Sequence, residues 1–155
     1  YNIRNCPVIH CINNDGRSWL VYADSVPNSK RLSKTLSNYW IRRGLDSPQS
    51  VITDMENKEL LWMDNLLVVR NRRIYMLSDN RWDNKYSENP LNIDYLYISK
   101  GFTRNIKSVS KLFSARCIVL DSSIPFYQLE SLKSECIELG YEYVLLNEKA
   151  FIIEC

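Results

Sequence analysis

The sequence predicts an α/β fold in which mixed sheets are flanked by helices, and three observations carry that prediction. The last third alternates short β-prone runs with helical stretches, which implies crossover units and partly parallel pairing. Two turn-rich joints, Asn13-Asn14-Asp15-Gly16 and Arg70-Asn71-Arg72-Arg73, each separate a pair of apolar runs as hairpin turns do. The balance of 45% hydrophobic and 25% charged residues over 155 positions suits one domain with one core.

In chain order, residues 8–12 and 18–23 form an opening hairpin, because Asn, Asp and Gly tolerate the positive φ of its turn. From Asn28, an N-cap after Pro27, the residues Leu32, Leu36, Tyr39 and Trp40 recur at helical spacing until Gly44 stops the helix. Ser47-Pro48 breaks the chain and residues 51–53 read as a short strand, while residues 55–63 fit neither period. Residues 66–69 and 74–77 make a second hairpin with a basic tip, and 79–92 a long polar loop. There follow a strand at 95–98, a helix at 105–113, a strand at 117–120, a helix at 125–139, a strand at 141–146 and a last strand at 150–154. The 125–139 helix is the best defined, with Pro125 in its first turn and Gly140 at its end.

No apolar run approaches the roughly 18 residues of a membrane span. The first seven residues are polar and lack an initiator Met, so the chain is expected to be one domain, 1–155, excised from the C-terminal part of a larger membrane protein. Cys6, Cys11, Cys117, Cys136 and Cys155 are scattered, with no CxxC pair, and read as small buried hydrophobes. The net charge of +2 conceals a gradient: residues 1–120 hold 18 Lys/Arg against 11 Asp/Glu, and residues 121–155 hold 2 against 7. Such a basic flank suits phosphate or an acidic partner, or is a normally solvated surface.

Chemistry is sparse. The single histidine, His10, lies between Ile9 and Cys11 in a strand, where neighbours face opposite sides, so it reads as an ordinary strand residue and no histidine-based metal centre is expected. Asp79, Asp83, Asp94 and Asp121 form no dense acidic cluster and read as turn formers or caps. Four glycines, with no GxGxxG, Walker or GxSxG pattern, argue against the usual nucleotide cofactors and a serine hydrolase elbow. No cofactor is expected. What remains is basic: Lys30, Arg31, Lys34, Arg42 and Arg43 on or beside the first helix, then Arg70, Arg72 and Arg73 at the hairpin tip. These are the candidate nucleic-acid contacts, since Lys and Arg bind phosphate. Tyr39 and Trp40 fall on the apolar stripe of the helix and read as core.

The order of segments resembles the C-terminal domain of ComEC-type DNA-uptake channel proteins, similar to a truncated, degenerate metallo-β-lactamase sandwich. The residues that carry the likeness are the strand and acidic turn at 18–24 (SWLVYAD) and the helix, arginine-rich Gly turn and strand at 36–54 (LSNYWIRRGLDSPQSVITD). Residues 74–79 (IYMLSD) and 93–103 (IDYLYISKGFT) complete it. The resemblance implies a histidine-rich metal loop after Asp54, yet Met55-Glu56-Asn57-Lys58 follows; it makes Asp79 a surviving ligand and puts Lys100 and Gly101 in the two histidine positions. A lone Asp79 cannot hold catalytic zinc, which takes about three protein ligands.

The resemblance thus implies a metal-free, non-catalytic accessory domain on the periplasmic side of an inner-membrane protein. Its partners would be single-stranded DNA and the membrane-embedded channel part of the same polypeptide. One alternative is a metal-dependent nuclease or phosphodiesterase using Asp24, Asp54, Asp79 and Asp94 around one cation. Another is a protein–protein interaction module, marked by an exposed apolar patch.

Overall fold

A computed structural model of the chain describes residues 7–22, 29–147 and 150–153, with backbone alone for 29–33 and 35. The ten strands are β1 (Val8–Ile12), β2 (Ser18–Tyr22), β3 (Gln49–Val51), β4 (Met55–Glu56), β5 (Leu60–Met63), β6 (Leu66–Val69), β7 (Arg72–Leu77), β8 (Leu91–Ile98), β9 (Phe113–Leu120) and β10 (Glu142–Leu145), with two helices, α1 (Ser29–Arg43) and α2 (Phe126–Leu139). They form a mixed three-stranded sheet, β1-β2-β3, and a mixed seven-stranded sheet, β10-β9-β8-β7-β6-β5-β4. β4 to β7 run antiparallel and β7 to β10 parallel.

Three apolar clusters stack these elements into an α/β sandwich. Leu36 and Trp40 of α1 pack on Val8, Leu20 and Tyr22 of the small sheet, while Cys11, Trp19 and Val21 on the opposite face meet Trp62, Leu67 and Met76 of the large sheet. The far face of the large sheet buries Leu77, Ile98 and Ile118 against Leu129, Leu132 and Cys136 of α2. Period-two alternation sends Leu20 one way and Val21 the other, so the small sheet is apolar on both faces. Each fully buried Leu or Ile contributes about 1.5–3 kcal/mol relative to exposure.

The opening hairpin, α1, the second hairpin and α2 lie where the pattern places them, and β7 to β10 give the expected parallel pairing. α2 ends on Gly140 at φ 74, and the N–H of Tyr141 donates to the Cys136 carbonyl at 2.9 Å. Five segments differ. The strand expected at 95–98 starts at Leu91, inside the loop expected at 79–92, because Leu91 already pairs with Phe113. The strand expected at 51–53 is Gln49–Val51, set by pairing with Trp19–Val21. Residues 55–63 are two strands, because Asp64 (φ 46) and Asn65 (φ 65) form a two-residue turn into β6 and Asn57 caps the turn into β5. The helix expected at 105–113 is a 3₁₀ turn, Ile106–Ser108, followed by β9. Ile106, Val109 and Phe113 are buried as the spacing requires, but Phe113 already pairs with Leu91, so the turn cannot propagate. Finally, residues 150–153 have no regular structure: Phe151 meets Tyr95 edge-on at 5.8 Å and Ile153 packs on the inter-sheet core, so the segment crosses the sheet face instead of extending its edge.

His10 and Cys11 do face opposite sides. Cys11 is in the inter-sheet core, and the His10 ring stands edge-on to Tyr39 of α1 at 6.3 Å. Burial pushes the imidazole down to about 4 from an ordinary 6.5. Between those values the unfolded chain binds a proton that the folded chain refuses, so the stability present above pH 6.5 falls as pH drops toward 4. Discounted for partial solvent contact, the loss is about 2 kcal/mol. Urea unfolding at neutral and mildly acid pH checks it: His10→Gln flattens this part of the profile.

Candidate functional site

β7, β8 and β9 are parallel and end along one rim of the sandwich, where α/β folds place ligands. Asp79 follows β7, Lys100 and Gly101 follow β8, and Asp54 follows β3 and leads into β4. Several residues along this rim bond one another. The Asp79 carboxylate accepts from Arg81 Nε at 2.7 Å and from the Arg81 backbone N–H at 2.9 Å, and Arg81 reaches Asp64 at 3.0 Å. The Arg81 hydrogen bond holds the Asp79 carboxyl below its usual range, and the same contact raises the guanidinium.

The Lys100 N–H donates to Ser123 Oγ at 3.2 Å, while Asn80 and Thr103 exchange two hydrogen bonds of 2.8 and 2.9 Å. Buried Asp121 accepts the Tyr97 hydroxyl and, at 2.8 Å, the Ser123 N–H. A Cβ on Gly101 would lie 1.7 Å from the Ser78 carbonyl oxygen, so no side chain fits there.

This rim does not fit a catalytic metal. Among the described residues no three His, Cys, Asp or Glu side chains gather as ligands. Asp94 lies beside the start of β7, bound to Arg72 at 3.3 Å and to the Arg73 N–H at 2.9 Å. Asp79 follows the far end of that strand, about 20 Å away, so the two cannot share an ion; Asp24 lies outside the described residues. Nor are Cys117 and Cys136 poised for reaction: burial raises Cys117 and pushes Cys136 up to about 12.

The opposite rim is basic. The β6–β7 turn carries Arg70 at φ 53, whose Nη2 donates to Asn14 Oδ1 at 3.1 Å and so ties the turn to the first hairpin. Arg72 and exposed Arg73 follow directly. Because β2 and β3 are parallel, α1 returns the chain to the end where both begin, which brings exposed Arg42 and Arg43 to this same rim in the outer helix layer. Arg43 Cζ sits 5.8 Å from the Tyr39 ring centroid. Trp40 is buried and Tyr39 partly so, as the stripe requires. Lys34 is exposed about 14 Å back along the helix. The side chains of Lys30 and Arg31 lie outside the described residues, as do Cys6 and Cys155.

Sequence reasoning missed Arg116, exposed on β9 at the basic rim. Its signal was available: it is the one charge in the strand FSARCIVL.

No helix among the described residues is long and apolar enough to cross a membrane. No match was found among curated proteins or solved structures. The family model of the ComEC C-terminal domain matches residues 1–154. The segment order, the two packed sheets and this match agree: the chain belongs to the ComEC C-terminal domain family, which associates it with competence DNA uptake.

Proposed function

We propose that the chain is a metal-free, non-catalytic accessory domain of a ComEC-like uptake protein, on the periplasmic side, that contacts single-stranded DNA through its arginine rim. One observation carries the reading: Arg42, Arg43, Arg70, Arg72 and Arg73, distant in sequence, converge on one end of the sandwich. Guanidinium groups so placed bind successive phosphates without reading sequence. The non-catalytic half is supported by the other rim, where Arg81 occupies Asp79 and the Ser78 carbonyl fills the space at Gly101.

The remainder of the same polypeptide, embedded in the membrane, is the second partner. Protein contact is favoured by Phe126 and Tyr127, 76% and 80% exposed side by side on the first turn of α2.

Electrophoresis of an end-labelled single strand after incubation with the domain and Mn²⁺ tests both halves. The expected result is a retarded strand of unchanged length. Mn²⁺-dependent shortening that disappears in Asp79→Asn would reverse the assignment.

A further inference from the structure

Two surface depressions meet at Arg116. The first, of 530 Å³, is lined by Arg70, Asn71, Arg73, Asn92, Ser114 and Arg116, with Asp94 in its wall. Asp94 is already engaged by Arg72 and by the Arg73 N–H, so the net charge facing the depression is that of Arg70, Arg73 and Arg116. Among the described residues neither Arg73 nor Arg116 makes a side-chain ion pair. The second depression, of 590 Å³, is aromatic: Tyr95, Tyr141, Tyr143 and Phe151 line it beside Arg72 and Arg116, with Glu142 its one carboxylate. Phe151 is 37% exposed, so part of its ring is open to solvent.

Phosphate donors beside a ring-lined hollow of nucleotide size suit a nucleic acid whose bases are unpaired. A duplex keeps its bases stacked inside and can use only the first depression. We infer that the two depressions form one binding track, in which Arg73 and Arg116 hold phosphates and the hollow at Phe151 accepts an unpaired base. The track rests on the DNA-contact reading and deepens it: it adds Arg116 and Phe151, and it selects single strands through base stacking.

The track contributes affinity that a strand without bases cannot use. The test is fluorescence anisotropy with an oligothymidylate of about fifteen nucleotides and an abasic strand of equal length. Phe151→Ala weakens oligothymidylate binding about tenfold and leaves the abasic strand unchanged, and Phe151→Trp retains the wild-type difference. Arg116→Gln weakens both strands alike and makes the salt slope shallower by about 1. If Phe151→Ala weakens both strands equally, or neither, the base site is overturned while the arginine rim stands. If the intact domain binds neither strand, the DNA-contact reading falls and the track with it.

Discussion

Gly101→Ala is expected to destabilise the fold by at least about 3 kcal/mol, more than an ordinary overpacking substitution. The added methyl carbon would stand 1.7 Å from the Ser78 carbonyl oxygen and 2.8 Å from the carbonyl carbon, and both are backbone atoms that cannot swing aside. Ser78 cannot retreat cheaply, because the adjacent Leu77 carbonyl accepts the Ser99 N–H at 3.1 Å within the β7–β8 ladder. Gly101 cannot retreat either, since the next residue, Phe102, is fully buried and its N–H donates to the Ser99 carbonyl at 3.0 Å. Urea unfolding measures the effect as a midpoint lowered by about 1.5 M at an m-value of about 2 kcal/mol/M. Gly44→Ala is the internal comparison: Gly44 has φ 61 and nothing within 4 Å, so the cost there is conformational only, about 1–2 kcal/mol.

The same steric fact bears on the metal positions that the resemblance implies. The resemblance places a histidine where Gly101 stands, but the backbone here lies within contact of Ser78, so an imidazole does not fit at this position. Asp79, the acidic position that the resemblance singles out, is bound by Arg81 two residues on. The absence of a histidine-rich stretch was legible in the sequence, because histidine and glycine patterns are identities. The close approach of Gly101 to Ser78 was not, because it depends on how two strand ends meet.

Much of the fold was legible for equally physical reasons. Asn13 to Gly16 mark a hairpin turn, Gly140 ends α2 in the left-handed region, and the alternation of strands and helices in the last third fixes parallel pairing. The sequence misled where periodicity has two explanations. Ile106, Val109 and Phe113 share helical spacing, yet they are buried by a short 3₁₀ turn and the start of a strand. Met63-Asp64-Asn65-Leu66 hid a hairpin, since an Asp-Asn turn is a weaker signal than Asn-Gly. The arginines were visible as residue types, but only the β2–α1–β3 crossover and the β6–β7 turn show that five of them share one end. Arg116 escaped because it sits within a strand, where a lone charge reads as an outward-facing residue.

Simultaneous replacement of Arg42, Arg43, Arg70, Arg72 and Arg73 by glutamine has the largest expected effect on binding. Each guanidinium that meets a phosphate releases counterions, so losing several should weaken single-strand affinity by at least about thirtyfold at low salt and make the salt slope shallower by about 3. The fold should survive, since Arg42, Arg43, Arg70 and Arg73 are exposed, Arg70 gives up an exposed hydrogen bond to Asn14 at 3.1 Å, and Arg72 gives up a partly exposed pair with Asp94 at 3.3 Å. A smaller comparison variant at other positions, Lys34→Gln with Lys100→Gln, removes charge away from this rim and should change affinity less than about threefold. Anisotropy of a labelled oligothymidylate titrated with the domain, the five-arginine variant and the two-lysine variant is the most direct measurement. Binding should collapse in the five-arginine variant and persist in the two-lysine variant; equal affinity for all three proteins would show that the arginine rim does not hold the strand.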